Sequence, residues 1–245
     1  MQPLLQELDA FREAGMTAEL WWRDDNATDP SVELDRLVAM SDRHNIPCGL
    51  AAIPAQAGEP LRKAVSGTAH VWILQHGAGA DRDADPHRPT SVVLEELRQG
   101  MLKFNQLFKS RFVPVLAPQR ERIAPELLPY LPVMGYRGVS SVHGARRPVP
   151  PGDLRVADVY CDLLDRPGGG KPRFAGAEPC VAAIVDHLRA KRAGKADQAE
   201  PTGIRTHHMD MDRDAWQFLE ALFELTAAHP AAQWLSPATI WPAAK

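Results

Sequence analysis

Glu19-Leu20-Trp21-Trp22-Arg23-Asp24-Asp25-Asn26 is an apolar run that stops on two adjacent carboxylates. A strand that delivers acids to one rim of a sheet is a common way to build a hydrolytic centre. Two later runs end in a similar way, Val71-Trp72-Ile73-Leu74-Gln75-His76-Gly77 and Thr202-Gly203-Ile204-Arg205-Thr206-His207-His208. Working outward from them, apolar strand-like runs alternate with segments of helical periodicity. A helix is expected over 2–14, ended by Gly15, and a strand follows through Trp22. Asp29 and Pro30 read as the cap and first position of the next helix. Further strands are expected at 48–53, 70–75, 112–116, 135–140, 154–160 and 202–206. Pro114 weakens the one that contains it. Helices are expected at 90–108, 124–131, 178–191 and 213–228, with an irregular Gly- and Pro-rich stretch over 162–172. This alternation predicts an α/β fold with a parallel sheet, whose chemistry sits at the C-terminal ends of the strands. No composition shift or repeat divides the chain, so a single domain over 1–245 is expected.

Composition narrows the partner. The 245 residues are 44% hydrophobic and 24% charged, as in a globular protein with a sizeable core. A net charge of −3, with both signs mixed, argues against a nucleic-acid or anionic-membrane partner. Cys48, Cys161 and Cys180 are isolated, which suits free thiols rather than a disulfide framework. The first residues lack the pattern of a signal peptide, and no apolar run approaches the ~20 residues that span a membrane. A cytoplasmic protein is the expectation.

Asp24 and Asp25 can share a site only if a turn at the strand end brings both to one side, because adjacent residues in a strand point opposite ways. One carboxylate could then bind a metal and the other act as base; a solvated turn is the plainer alternative. His76 suits a metal ligand or a hydrogen-bonded strand end. Of His207 and His208, one can face the site while the other packs. Arg122 could orient a catalytic carboxylate, or lie on the surface. Asp162 and Asp165, spaced Asp-x-x-Asp, could contact substrate, orient a histidine or be simple loop residues. Dinucleotide, phosphate-loop and serine-elbow motifs are absent from the sequence.

In order and placement this set resembles the polysaccharide deacetylase family (carbohydrate esterase family 4), in a divergent bacterial branch. Trp22-Arg23-Asp24-Asp25 is similar to its first motif and Gln75-His76-Gly77 to the start of its second. The stretch 117–122 falls where its Arg-containing third motif belongs. Asp162-Leu163-Leu164-Asp165 resembles the fourth, and Thr206-His207 the fifth. The resemblance implies a distorted (β/α)7 barrel and metal-assisted hydrolysis of a non-peptide carbon–nitrogen bond, the N-acetyl group of a sugar or related metabolite. It implies Asp24 as base and His207 as acid, with Arg122 and Asp165 orienting them. Asp25 and His76 would hold a divalent metal, usually zinc, with His87 a further candidate. Trp22, Asp162 and His208 would contact a small-molecule or oligosaccharide substrate. The chain departs from the pattern at Ala80, where the family carries a second metal histidine, and at Arg166, Gln119 and Arg120. Catalytic zinc normally takes three protein ligands and a water. The departures therefore leave two readings: an altered metal hydrolase, or a degenerate relative that binds a glycan or metabolite.

Overall fold

The computed structural model describes residues 1–77, 88–119, 123–144, 154–166 and 170–243. Helix α1 (Gln2–Glu13) buries Leu4, Leu8 and Phe11, which recur on one face. Strand β1 (Ala18–Ala27) follows, then α2 (Val32–His44), β2 (Cys48–Ala52), α3 (Glu59–Ala64), β3 (Val71–His76) and α4 (Thr90–Phe108). Next come β4 (Phe112–Ala117), β5 (Gly138–Val139), β6 (Arg155–Val156) and β7 (Val159–Asp162). A two-stranded antiparallel sheet, β8 (Leu164–Asp165) and β9 (Arg173–Phe174), precedes α5 (Ala177–Arg192). The chain then forms β10 (Thr202–Thr206), α6 (Arg213–Ala228), β11 (Ala232–Trp234) and α7 (Pro237–Ile240).

The main sheet runs β6-β5-β4-β3-β2-β1-β10-β7, with β11 also on β1, and every pairing in it is parallel. A parallel bridge between Val142 and Val159 draws the two ends of this order together, so the sheet curls on itself. The curl creates an inner and an outer face, and β1 shows both. Trp22 belongs to the large cluster between sheet and helices, where it packs edge-on against Phe223 of α6. Trp21 points inward, with Ala51, Leu74, Val115 and Val159 from four other strands. Trp241, just after α7, meets the Trp21 ring edge-on at 5.3 Å and helps form the floor of the interior. Gly203 makes that floor possible: a Cβ there would stand 2.5 Å from Trp21 Nε1 and 2.2 Å from the Asp158 carbonyl oxygen.

Several local features differ from the sequence reading. Helix α2 is capped by Ser31, whose hydroxyl accepts from the Leu34 amide, rather than by Asp29. Asn45 ends it in the left-handed conformation, φ 54°. The strand expected around Pro114 does form, and it is buried. The β3–β4 register shifts between Ile73 and Gln75, and the irregularity absorbs the residue that cannot donate. The expected helix over 124–131 is a 3-10 stretch, Pro125–Tyr130, because Pro129 removes a donor. The expected strand over 154–160 is two short strands, β6 and β7. The stretch expected to be irregular, 162–172, holds β8, which pairs with β9 just beyond it. Most consequential, β1 does not stop at Trp22 but runs on through both aspartates to Ala27. Among the described residues no helix is long and apolar enough to cross a membrane.

Candidate functional site

Because β1 continues, Asp24 and Asp25 obey strand alternation and face opposite sides. Asp24 shares the outer face with Trp22. It is fully buried, and three donors converge on it: the Thr206 hydroxyl at 2.6 Å, the His208 amide at 2.9 Å and His208 Nδ1 at 2.5 Å. Trp22 Nε1 donates to the same Thr206 hydroxyl at 2.8 Å. Burial disfavours a charged His208, but the Asp24 carboxylate beside it outweighs burial and raises its pKa. This is a closed ion pair behind the sheet. The structure therefore sets Asp24, Trp22 and His208 apart from the inner-face residues.

Asp25 shares the inner face with Trp21 and Arg23. The Arg23 guanidinium faces it as a fork: Nη2 donates to Oδ2 at 2.9 Å, while Nε lies 2.8 Å from Oδ1 as an ion pair outside hydrogen-bond geometry. Arg23 Nη1 also donates to the carbonyl and hydroxyl oxygens of Ser140, at 2.8 and 2.7 Å. Parallel register sets Arg205 opposite Arg23, and its Nη1 lies 3.7 Å from Asp25 Oδ2. Arg205 Nε in turn donates to Asp162 at 3.0 Å. Two guanidiniums and two carboxylates thus alternate across the strands, and Arg23, Asp25 and Arg205 are almost wholly buried. Burial opposes ionisation of Asp25, yet the Arg23 guanidinium first, with His76, Arg205 and His207 close by, holds its pKa below the usual carboxylate range.

Two histidines flank this carboxylate. His76 closes β3 and donates from Nδ1 to the Ala117 carbonyl oxygen at 3.1 Å. Burial pushes its pKa down to about 4 despite the neighbouring Asp25, so its ring is neutral near pH 7. His207 lies just beyond β10, and its Nδ1 is 3.2 Å from the Asn26 side-chain nitrogen. Asn26 is the extra residue of a bulge: the β1–β2 register shifts between Asp25 and Ala27, and Asn26 takes φ 69°. The bulge undoes the alternation for one step. Asp25 and Asn26, rather than Asp24 and Asp25, are the consecutive pair that meets His207.

Other expected site residues lie elsewhere. Asp165 sits on the exposed β8–β9 pair, 3.8 Å from Arg173. Arg122, His87 and Ala80 lie outside the described residues. Arg23, Arg205, Asn26 and Ser140 were not singled out in the sequence. A signal existed for the arginines: each stands two residues before Asp25 or His207, hence on the same strand face.

The donor set can be tested against the divalent metal implied by the resemblance. Among the described residues, no three His, Cys, Asp or Glu side chains are arranged to hold a metal ion. Both oxygens of Asp25 face the Arg23 fork, with a second guanidinium beside it. A dication there would have to displace one cation and approach another. The described residues do not fit a catalytic zinc site.

No family model matches the sequence, and no curated protein matches it. Comparison of structures gives clear neighbours. The Bc1960 peptidoglycan N-acetylglucosamine deacetylase, solved with an N-oxidanyl-benzamide compound, superposes with a TM-score of 0.59 at 13% identity, over 94% of this chain and 90% of that one. The family 4 carbohydrate esterase from Streptomyces lividans, in complex with acetate, gives 0.56 at 11%, over 91% and 95%. The family 4 acetyl xylan esterase from Clostridium thermocellum, in complex with a cobalt ion, gives 0.51 at 10%, over 91% and 89%. The chain has the polysaccharide deacetylase fold. Its curled parallel sheet with surrounding helices is the distorted (β/α)7 barrel of the family 4 esterases, the fold that the resemblance implied. At these identities the likeness establishes the fold, and the chemistry must be argued from the site.

Proposed function

We propose that the whole chain works as one deacetylase-like unit that binds an acylated sugar or a related small metabolite, and that metal-activated hydrolysis has been lost. The observation that carries this reading is the Arg23 fork on Asp25. The carboxylate proposed as a metal ligand is already neutralised by a buried guanidinium, with Arg205 in reserve. Asp24, proposed as the base, is saturated by Thr206 and His208 on the far side of the sheet. Ala80 adds to this, since the residue there carries no donor. The ligand would meet Asp25, Asn26, His76 and His207 at the ends of β1, β3 and β10. Oligosaccharides and small metabolites both suit such a site.

A second reading keeps the hydrolase, with zinc held by His76, Asp25 and a residue such as His87. What favours it is that His76 makes its described hydrogen bond through Nδ1 alone and that His207 Nε2 is buried without a partner among the described residues. Elemental analysis and an acetate-release assay on N-acetylglucosamine oligomers separate the two. The binding reading expects far less than one equivalent of zinc in protein purified without added metal, no acetate release, and retention of the oligomer in equilibrium dialysis. One equivalent of zinc together with acetate release would establish the hydrolase.

A further inference from the structure

The inner face carries a cation of its own. Arg23 leaves β1 and donates to Ser140, the residue after β5, although β2, β3 and β4 lie between those two strands in the sheet. Its side chain therefore crosses the interior of the curl. Four oxygens surround the guanidinium. Two are the Asp25 carboxylate oxygens, at 2.8 Å as an ion pair and 2.9 Å as a hydrogen bond; two are the Ser140 carbonyl and hydroxyl oxygens, at 2.8 and 2.7 Å. Carboxylate, carbonyl and hydroxyl oxygens are the ligands a hard dication takes. Here they hold an arginine, and Arg23, Asp25 and Ser140 are all buried. A buried carboxylate requires a cation and a buried guanidinium requires acceptors, so each partner satisfies the other inside one shell. Arg205 Nη1 lies 3.7 Å from Asp25 Oδ2, while its Nε donates to Asp162. The two guanidiniums balance the two carboxylates. A dication added to them would leave this buried region with excess positive charge.

We infer that Arg23 is the resident cation of this site: its guanidinium, bound between Asp25 and Ser140, stands in for an exchangeable metal ion, and taking that side chain away opens a cation site on Asp25. The inference rests on the binding reading above. It adds that the site is assembled and neutral without any added ion, so ligand binding is independent of metal supply. It also assigns the exclusion of a metal to one side chain rather than to the whole altered donor set. Without the guanidinium, Asp25 and Asp162 face Arg205 alone, and the deficit is a positive charge.

The test uses the full chain, purified without added metal. Cobalt(II) is the probe, because its visible absorption reports both the bound ion and its protein ligands. The parent should show the spectrum of the aqueous ion only, and neither cobalt(II) nor EDTA should move its melting temperature. Arg23→Ala removes the cation and leaves room for an ion. It should melt below the parent, bind cobalt(II) at least about ten-fold tighter than the parent does, as expected when a buried like charge is removed, and regain part of the lost melting temperature on binding. Arg23→Ala with Asp25→Leu should show no cobalt(II) spectrum and no cobalt-dependent shift. A side chain that merely braced β1 against Ser140 would leave a loss that cobalt(II) does not restore. If Arg23→Ala does not fold, Arg23→Gln, which keeps an amide donor for Ser140 without the charge, carries the same expectation. A folded variant that ignores cobalt(II) would overturn the inference and leave the binding reading intact. One equivalent of cobalt(II) tightly held by the parent would overturn both.

Discussion

The two faces of β1 carry the same kind of residue and treat it differently. On the outer face Asp24 meets one histidine, one hydroxyl and one amide, all contributed by the end of β10 and the turn after it. On the inner face Asp25 meets two arginines, with two histidines flanking them. The outer carboxylate fastens two neighbouring strands together. The inner one belongs to a chain of charges from Ser140 through Arg23, Asp25 and Arg205 to Asp162. Two adjacent acids in a sequence therefore need not form one centre. Where the strand ends decides whether they do.

The largest effect should come from breaking the inner face. Arg23→Met would leave Asp25 almost fully buried with only Arg205, 3.7 Å away, to offset its charge. A loss of about 3–5 kcal/mol is expected in urea unfolding. Arg23→Met with Asp25→Leu should recover most of that loss, because the orphaned charge is removed together with its partner. A double variant as unstable as the single one would contradict the pairing.

Next in size is the floor beneath that face. Gly203→Ala would drive a methyl group into the Asp158 carbonyl and the Trp21 ring, so a loss of about 2–3 kcal/mol is expected. Ile204, the following residue, points into the outer cluster. Ile204→Val should cost only about 1 kcal/mol. Thermal unfolding of the two variants checks which face each residue serves.

How much of this was legible beforehand follows from the range of the interactions involved. The alternation of strands and helices, and the rim where His76, His207 and Asp162 lie, could be read because periodicity and strand-end residues are local. One local competition was misread: Ser31 took the cap from Asp29. The separation of Asp24 from Asp25 was not legible, since polar residues commonly end a strand and here they continue it. Pairing with β2 on one side and, at Asp24, with β10 on the other keeps residues 24 and 25 extended. The Asn26 bulge likewise depends on the register with β2. Arg23 and Arg205 could have been found by counting back two from Asp25 and His207.

The last prediction concerns pH dependence, and the two faces should respond in opposite directions. His76 on the inner face has its pKa depressed to about 4, first by burial. Between its ordinary value of about 6.5 and that lowered value, the unfolded chain binds a proton that the folded chain refuses. Its contribution is present above pH 6.5 and falls as pH drops toward 4, by at most about 1.4 kcal/mol per pH unit. His208 on the outer face has its pKa raised, because Asp24 outweighs burial. Its contribution is present below pH 6.5 and fades as pH rises through the raised value. Melting temperatures from pH 4.5 to 8.5 should show His76→Gln flattening the acid side of the profile and His208→Gln the alkaline side. If either variant flattened the other side instead, the assignment of a neutral histidine to the inner face and a charged one to the outer would be reversed.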